Sequence, residues 1–218
     1  MENWKELIVK RAEEAARSFL ADSPACHDWD HTVRVRNNAI RIAQAEGADL
    51  LVVEVAALLH DIARPQELAD RGTSDHAQVG ADMALTLLPE LGVTDNAFVT
   101  HVAHCIRTHR YRTRNPNICP KTIEAKIVFD ADKLDSIGAI GIARSFHFAG
   151  RIGARVHNTD AEALSDSSYS REDSAYREYL VKLRFVKDKL LTSAGCQMAL
   201  QRHEFMVTFF NQLNEEVK

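Results

Sequence analysis

His60 and Asp61 stand side by side at the end of the run Leu50-Leu51-Val52-Val53-Glu54-Val55-Ala56-Ala57-Leu58-Leu59, which is apolar at every position except Glu54. As a helix the run is hydrophobic on nearly all faces, the pattern of a segment packed all round. An imidazole and a carboxylate at the end of such a helix are costly to bury unless they are hydrogen-bonded, ion-paired or bound to a metal.

Two further groups of polar residues fall where a plain core would have none. On a helix from Trp29 to Glu46, advancing about 100° per residue, His31 shares the apolar face of Val35, Asn38 and Ile42. In Phe129-Asp130-Ala131-Asp132-Lys133-Leu134-Asp135, three aspartates follow the helical apolar positions Ile123, Ile127 and Val128. Asp130 and Asp132 lie just outside the two edges of that apolar arc and Asp135 lies within it, so periodicity favours Asp135 as the more buried carboxylate. Two imidazoles, an aspartate beside one of them and a second aspartate from a distant helix form a plausible divalent-metal set. Mixed nitrogen and oxygen ligation suits manganese, iron, cobalt, nickel or zinc, whereas magnesium prefers oxygen and water.

A local basic run, Arg107-Thr108-His109-Arg110-Tyr111-Arg112-Thr113-Arg114, stands out from an otherwise acidic chain. A solvated face is one reading; beside a metal, guanidinium forks suit phosphate oxygens.

The elements that must position these groups read as helices throughout. Trp4, Leu7, Ile8, Ala12, Ala15 and Phe19 recur at helical spacing over residues 3–20, and Ala21-Asp22-Ser23-Pro24 is a break. Gly47 marks a stop after Glu46. Further helices are expected at about 49–63, 74–88, 94–109, 122–135, 138–150, 174–192 and 196–214, with little that alternates as a strand. The polar stretch 156–173 reads as a mobile loop. Tyr176, Leu180, Leu183 and Leu190, then Met198, Phe205, Phe209 and Leu213, are expected to pack in the core rather than face a partner.

A chain of 218 residues with 45% hydrophobic residues suits a single domain with a sizeable core. The balance of 27 basic against 31 acidic residues, net -4, exerts no global pull toward nucleic acid or acidic membrane. The four cysteines form no CxxC pair, which points to a reducing cytosol rather than to a disulfide framework or a zinc ribbon. The charged N-terminus resembles neither a signal peptide nor an anchor, and no apolar run is long enough to span a bilayer.

The stretches HDWDHTVRV (27–35), AALLHDIAR (56–64) and DADKLDSIGAIGIAR (130–144) together resemble the HD-domain superfamily of metal-dependent phosphohydrolases, in which a histidine, a His-Asp pair and a distant aspartate hold a divalent ion. The resemblance implies an all-α, compact multi-helix bundle occupying 1–218 as one domain, with a motif-bearing core at about 27–150 and a C-terminal helical extension at about 174–214.

It implies His31, His60, Asp61 and Asp132 as metal ligands, and so selects Asp132 where periodicity pointed to Asp135. Asp61 would also orient the water, Lys133 would help neutralise phosphoryl charge, and Asp135 would orient a ligand or a basic side chain. His27 and Asp28 would serve an outer shell or the start of the helix.

Some members hold a second metal with further histidines, and His76 and His109 are similar in position; binding phosphate is their competing role. On an ideal helix His101 and His109 point within about 80° of each other while His104 is turned about 140° from His109, and His109 is preferred. Arg34, Arg107, Arg110, Arg112 and Arg144 are the candidate substrate-binding groups. The implied activity is divalent-metal-dependent hydrolysis of a small phosphate ester or phosphoanhydride, with a nucleotide as the favoured substrate and manganese, magnesium, cobalt, nickel, iron or zinc as the ion. The competing readings are a di-iron oxygenase on the same ligands and a non-catalytic nucleotide- or metal-binding module. The expected setting is cytoplasmic, with no membrane or nucleic-acid partner; a homodimer is compatible with the sequence.

Overall fold

A computed structural model describes residues 3–21, 28–110 and 117–218. Helices and turns account for it, with no strand among the described residues. The break expected at 21–24 and most of the irregular, basic segment after Arg110 lie largely outside the described residues. The chain divides into two compact units, Met1–Asp132 with Leu191–Ala194, and Lys133–Leu190 with Gly195–Lys218.

The first unit is arranged about α3 (Leu50–Leu59), against which pack α1 (Trp4–Phe19), α2 (Trp29–Glu46) and α6 (Asn96–Thr108). Its all-round apolarity is matched by burial of Val52, Val53 and every residue from Val55 to Leu59. The exception, Glu54, receives the Arg36 guanidinium, with Nε at 2.9 Å. The remaining helices of this unit are α4 (Arg64–Ala69), α5 (His76–Glu90) and α7 (Ile123–Leu134), which continues into the second unit.

Aspartates start four of these helices by accepting amide hydrogen bonds: Asp28 for α2, Asp49 for α3, Asp75 for α5 and Asp95 for α6. Gly47 ends α2 at φ +70°, a left-handed conformation that favours glycine. The buried stripe of α1 is Ile8, Ala12, Ala16 and Leu20. It is narrower than the periodicity suggested, since Trp4 and Phe19 at its two ends are 53% and 41% exposed.

The second unit contains α8 (Gly138–Arg151), α9 (Asp160–Ser165), α10 (Ala175–Val181), a 3-10 helix at Leu183–Lys189 and most of α11 (Ser193–Glu216). Three sequence expectations are corrected here. The stretch 156–173 is not a plain loop: Thr159 and Glu162 form a reciprocal capping box that starts α9, and Arg155 bridges Glu162 and Glu172. The helix expected at 174–192 breaks at Lys182, where buried Leu183 and Val186, three residues apart, match the period of a 3-10 turn. On α11 the buried face is Gly195, Ala199, Met206 and Phe210, while Phe205 is half exposed. Phe210, not Phe209, stacks on Tyr179, with ring centroids 4.4 Å apart.

No helix among the described residues is long and apolar enough to cross a membrane.

Candidate metal centre

α3 stops one residue before His60, four residues short of the expected end. His60 Nδ1 donates to the Ala57 carbonyl at 2.7 Å, competing for the acceptor that a continuing helix would offer to the Asp61 amide. The same device recurs at the end of α6, where His109 Nδ1 donates to the Ile106 carbonyl at 2.6 Å. At the start of α5, His76 Nδ1 donates to Glu67 Oε2 at 2.7 Å. In each of these three rings the Nδ1 proton is spoken for, and Nε2 carries the lone pair.

Those lone pairs converge. His60 Nε2 lies 3.3 Å from His31 Nε2, and His76 Nε2 lies 3.2 Å from His109 Nε2. Neighbouring ring centroids stand 5.3, 5.1 and 5.2 Å apart along the series His31, His60, His109 and His76. Asp61 faces both pairs: Oδ2 is 3.7 Å from the Nε2 atoms of His31 and His60, and Oδ1 is 3.3 Å from His76 and 3.6 Å from His109. Asp132 Oδ1 completes the first pair at 3.5 Å from His31. Asn38 on α2 brings it there by donating to the carbonyl of Ala131 on α7 at 3.3 Å.

Two donor sets result, His31, His60 and Asp132, and Asp61, His76 and His109, each with donor atoms within 4.8 Å of one another. Burial holds His60 and His76 neutral, each pushed down to about 4 even though Asp61 pulls both upward. The cluster therefore sets the buried Asp61 carboxylate and the partly exposed Asp132 carboxylate beside imidazoles of which His60 and His76 are held neutral, a charge imbalance that a divalent cation relieves. Two imidazole nitrogens and one carboxylate oxygen in each set fit a first-row divalent ion at ordinary bond lengths of about 2 Å.

The three aspartates of the DADKLD stretch have separate surroundings. Asp130 is fully buried and accepts hydrogen bonds from the Leu191 and Thr192 amides and from Thr192 Oγ1 at 2.7–2.8 Å for the shortest of each. Burial pushes its pKa up, against those hydrogen bonds. Asp135 is 1% exposed, so it is buried as periodicity suggested, but it is not more buried than Asp130, which periodicity puts outside the apolar arc; Asp135 lies in the second unit and pairs with Arg144 at 3.0 Å. Gly141 permits the tight turn between Asp135 and α8, since a Cβ there would meet the Ser136 carbonyl oxygen at 2.3 Å. Asp132, with its side chain 17% exposed, is the one beside the histidines.

Removing Asp130 orphans several buried donors at once. Asp130→Ala is therefore expected to cost about 3 kcal/mol of stability, with metal content unchanged. Thermal denaturation and elemental analysis check this, and loss of metal without loss of stability contradicts it.

The other sequence candidates divide. Arg34 is half-buried on α2, one turn beyond His31. Arg107 is turned to α5, where it meets Gln78 Oε1 at 3.1 Å and Asp82 Oδ1 at 2.8 Å. Arg110 Nη1 lies 3.0 Å from Glu67 Oε1 and 2.9 Å from Asp75 Oδ1. Lys133 is buried, and Arg112 and His27 lie outside the described residues. Asp28 caps α2 through the His31 amide at 3.0 Å. His101 meets Thr122 and Glu124, and His104 accepts from the Lys121 amide, so neither joins the cluster.

Glu67 and Arg64, whose Nη1 donates to Glu67 Oε2 at 2.6 Å, are additional members of the site's surroundings. Burial pushes the Glu67 carboxyl up, but His76 and the two arginines outweigh it and hold it below the usual carboxylate range. Nothing in the local pattern singles out Glu67, because an acidic residue three positions after an arginine is ordinary helix-surface composition.

The HD domain family model matches residues 28–137. The chain is 38% identical over 214 residues to the uncharacterized protein YpgQ of Bacillus subtilis (strain 168), covering 96% of this chain and 95% of that one. The crystal structure of Bacillus subtilis YpgQ in complex with ADP superposes with a TM-score of 0.70 at 32% identity, covering 96% of both chains. An HD-superfamily hydrolase from Bacillus thuringiensis superposes with a TM-score of 0.74 at 32% identity, covering 97% of both. The chain belongs to the HD domain family, and with it to the metal-dependent hydrolases of the HD superfamily.

Proposed function

We propose that the chain hydrolyses a small phosphate ester or phosphoanhydride, with a nucleotide as the substrate class, at a centre of two divalent ions. His31, His60 and Asp132 would hold one ion and Asp61, His76 and His109 the other, with Asp61 shared through its two oxygens. The observation that carries this reading is the Asp61 carboxylate, whose Oδ1 and Oδ2 each face a different histidine pair. The ADP bound by YpgQ supports the nucleotide class.

Divalent ions at such a site lower the pKa of a water and neutralise charge on phosphoryl oxygens. The chain's own contribution is to keep four imidazoles aimed inward, with the Nδ1 protons of His60, His76 and His109 engaged so that their Nε2 atoms face the centre. Arg34, half-buried on α2 one turn from His31, is the guanidinium this reading assigns to phosphate oxygens through forked hydrogen bonds. The site resides on a single chain, and residues 1–218 acting as one HD-type domain is part of this reading.

The test is a screen of nucleoside mono-, di- and triphosphates and simple phosphate monoesters against manganese, magnesium, cobalt and nickel. Products are identified so that removal of one phosphate is distinguished from release of pyrophosphate. Turnover is expected with at least one nucleotide and is expected to stop on chelation. Turnover that survives chelation sinks the mechanism. Oxygen uptake by iron-loaded protein without phosphate release would favour an oxygenase, and tight nucleotide binding without turnover a binding module.

A further inference from the structure

We propose that Glu67 is the positioning residue that sets the affinity of the second ion position, formed by Asp61, His76 and His109; the inference rests on the two-ion reading above. Glu67 is buried, and its Oε2 accepts the His76 Nδ1 proton at 2.7 Å. A carboxylate behind a ligating imidazole fixes the ring plane and tautomer and makes the opposite nitrogen a better donor.

The same carboxylate reaches the second histidine by another route. Its Oε1 lies 3.0 Å from Nη1 of Arg110, the residue that follows His109 in the chain. Arg110 Nη1 also lies 2.9 Å from Asp75 Oδ1, and Asp75 caps α5 at the Ala77 amide, so that His76 is the first residue of the helix it starts. One buried side chain thus ties together the start of α5 and the end of α6, the two places from which His76 and His109 project. Arg64 Nη1 donates to the same Oε2 at 2.6 Å and lies 3.0 Å from His76 Nδ1, so it backs the Glu67 to His76 contact directly.

The first ion position has a different support. His60 is held by a backbone carbonyl, and Asp132 is placed by the contact of Asn38 with Ala131. Loss of Glu67 should therefore act on one position and spare the other.

The experiment is a calorimetric titration of the metal-free full chain with manganese, with electron paramagnetic resonance on the same samples. The wild type is expected to bind two ions and to show an exchange-coupled manganese pair. Glu67→Gln keeps the shape of the side chain and removes its charge. It should retain the first ion at unchanged affinity, weaken the second about 10- to 100-fold, and show isolated manganese at the same loading. Arg110→Met, which leaves the Glu67 to His76 bond in place, should weaken the second ion less.

A wild type that binds a single ion overturns the two-ion reading itself. A wild type with two ions and a Glu67→Gln variant with two equally tight ions overturns this inference alone, as does equal weakening of both ions, the mark of a merely structural residue. If Glu67→Gln fails to fold, unchanged second-ion affinity in Arg110→Met overturns the inference.

Discussion

Asp61→Asn is expected to lose both ions together and to lower turnover on the order of 10³-fold or more. The substitution keeps the shape of the side chain and removes the one charge that faces all four imidazoles at 3.3–3.7 Å. Several kcal/mol of charge stabilisation in a metal-assisted hydrolysis depend on holding the ions, and each 1.36 kcal/mol is about tenfold in rate. Asp132→Asn touches only the first donor set and should leave the second ion in place. Elemental analysis of the two variants separates a shared ligand from a local one. One ion retained in Asp61→Asn, bound as tightly as in the wild type, contradicts a bridging role.

Acidification is expected to destabilise the metal-free chain steeply between pH 6.5 and about 4. His60 and His76 ionise at about 4 when folded, against an ordinary value of 6.5. Above pH 6.5 both are neutral whether folded or not, and stability is complete. As the pH falls through 6.5 the unfolded chain takes up protons that the fold refuses, and stability is lost until the folded values are reached. At pH 5 the two histidines together account for about 4 kcal/mol. Asp130, pushed up by burial, works in the opposite sense and offsets part of this.

For a chain of this size the loss corresponds to a fall in Tm of about 10 °C between pH 7 and pH 5. Bound ions resist the same change, because ligation requires neutral imidazoles and metal competes with protons for them. Equal Tm values at pH 7 and pH 5 for metal-free protein, measured by calorimetry, contradict buried neutral histidines.

The helical plan was legible because its signals are local. The all-round apolarity of Leu50–Leu59, the Gly47 stop and the apolar spacing along α2 each act within a few residues. Local signals were weaker where a short turn competes with a helix, as at Lys182, and where a capping box starts a helix inside a polar stretch, as at Thr159. On α11, with exposed and buried aromatics adjacent at Phe209 and Phe210, periodicity chose the wrong register of the face.

For the site, sequence by itself determined that His60-Asp61 ends a buried helix, that His31 lies on a buried face, and, by resemblance, that Asp132 belongs with them. Tertiary structure decided which carboxylate stands beside the histidines and what the others do. Asp130 and Asp132 are two residues apart, yet one binds amides 61 and 62 residues away while the other faces His31. Helical periodicity reports burial on one face of its own helix: it found Asp135 buried but placed Asp130 outside the apolar arc, where the distant Leu191-Thr192 segment buries it completely. It carries no information on what a distant segment places opposite. Glu67 behind His76, and the approach of His76 to His109 from separate helix ends, exist only where α4, α5 and α6 meet, and no spacing along the chain encodes that meeting.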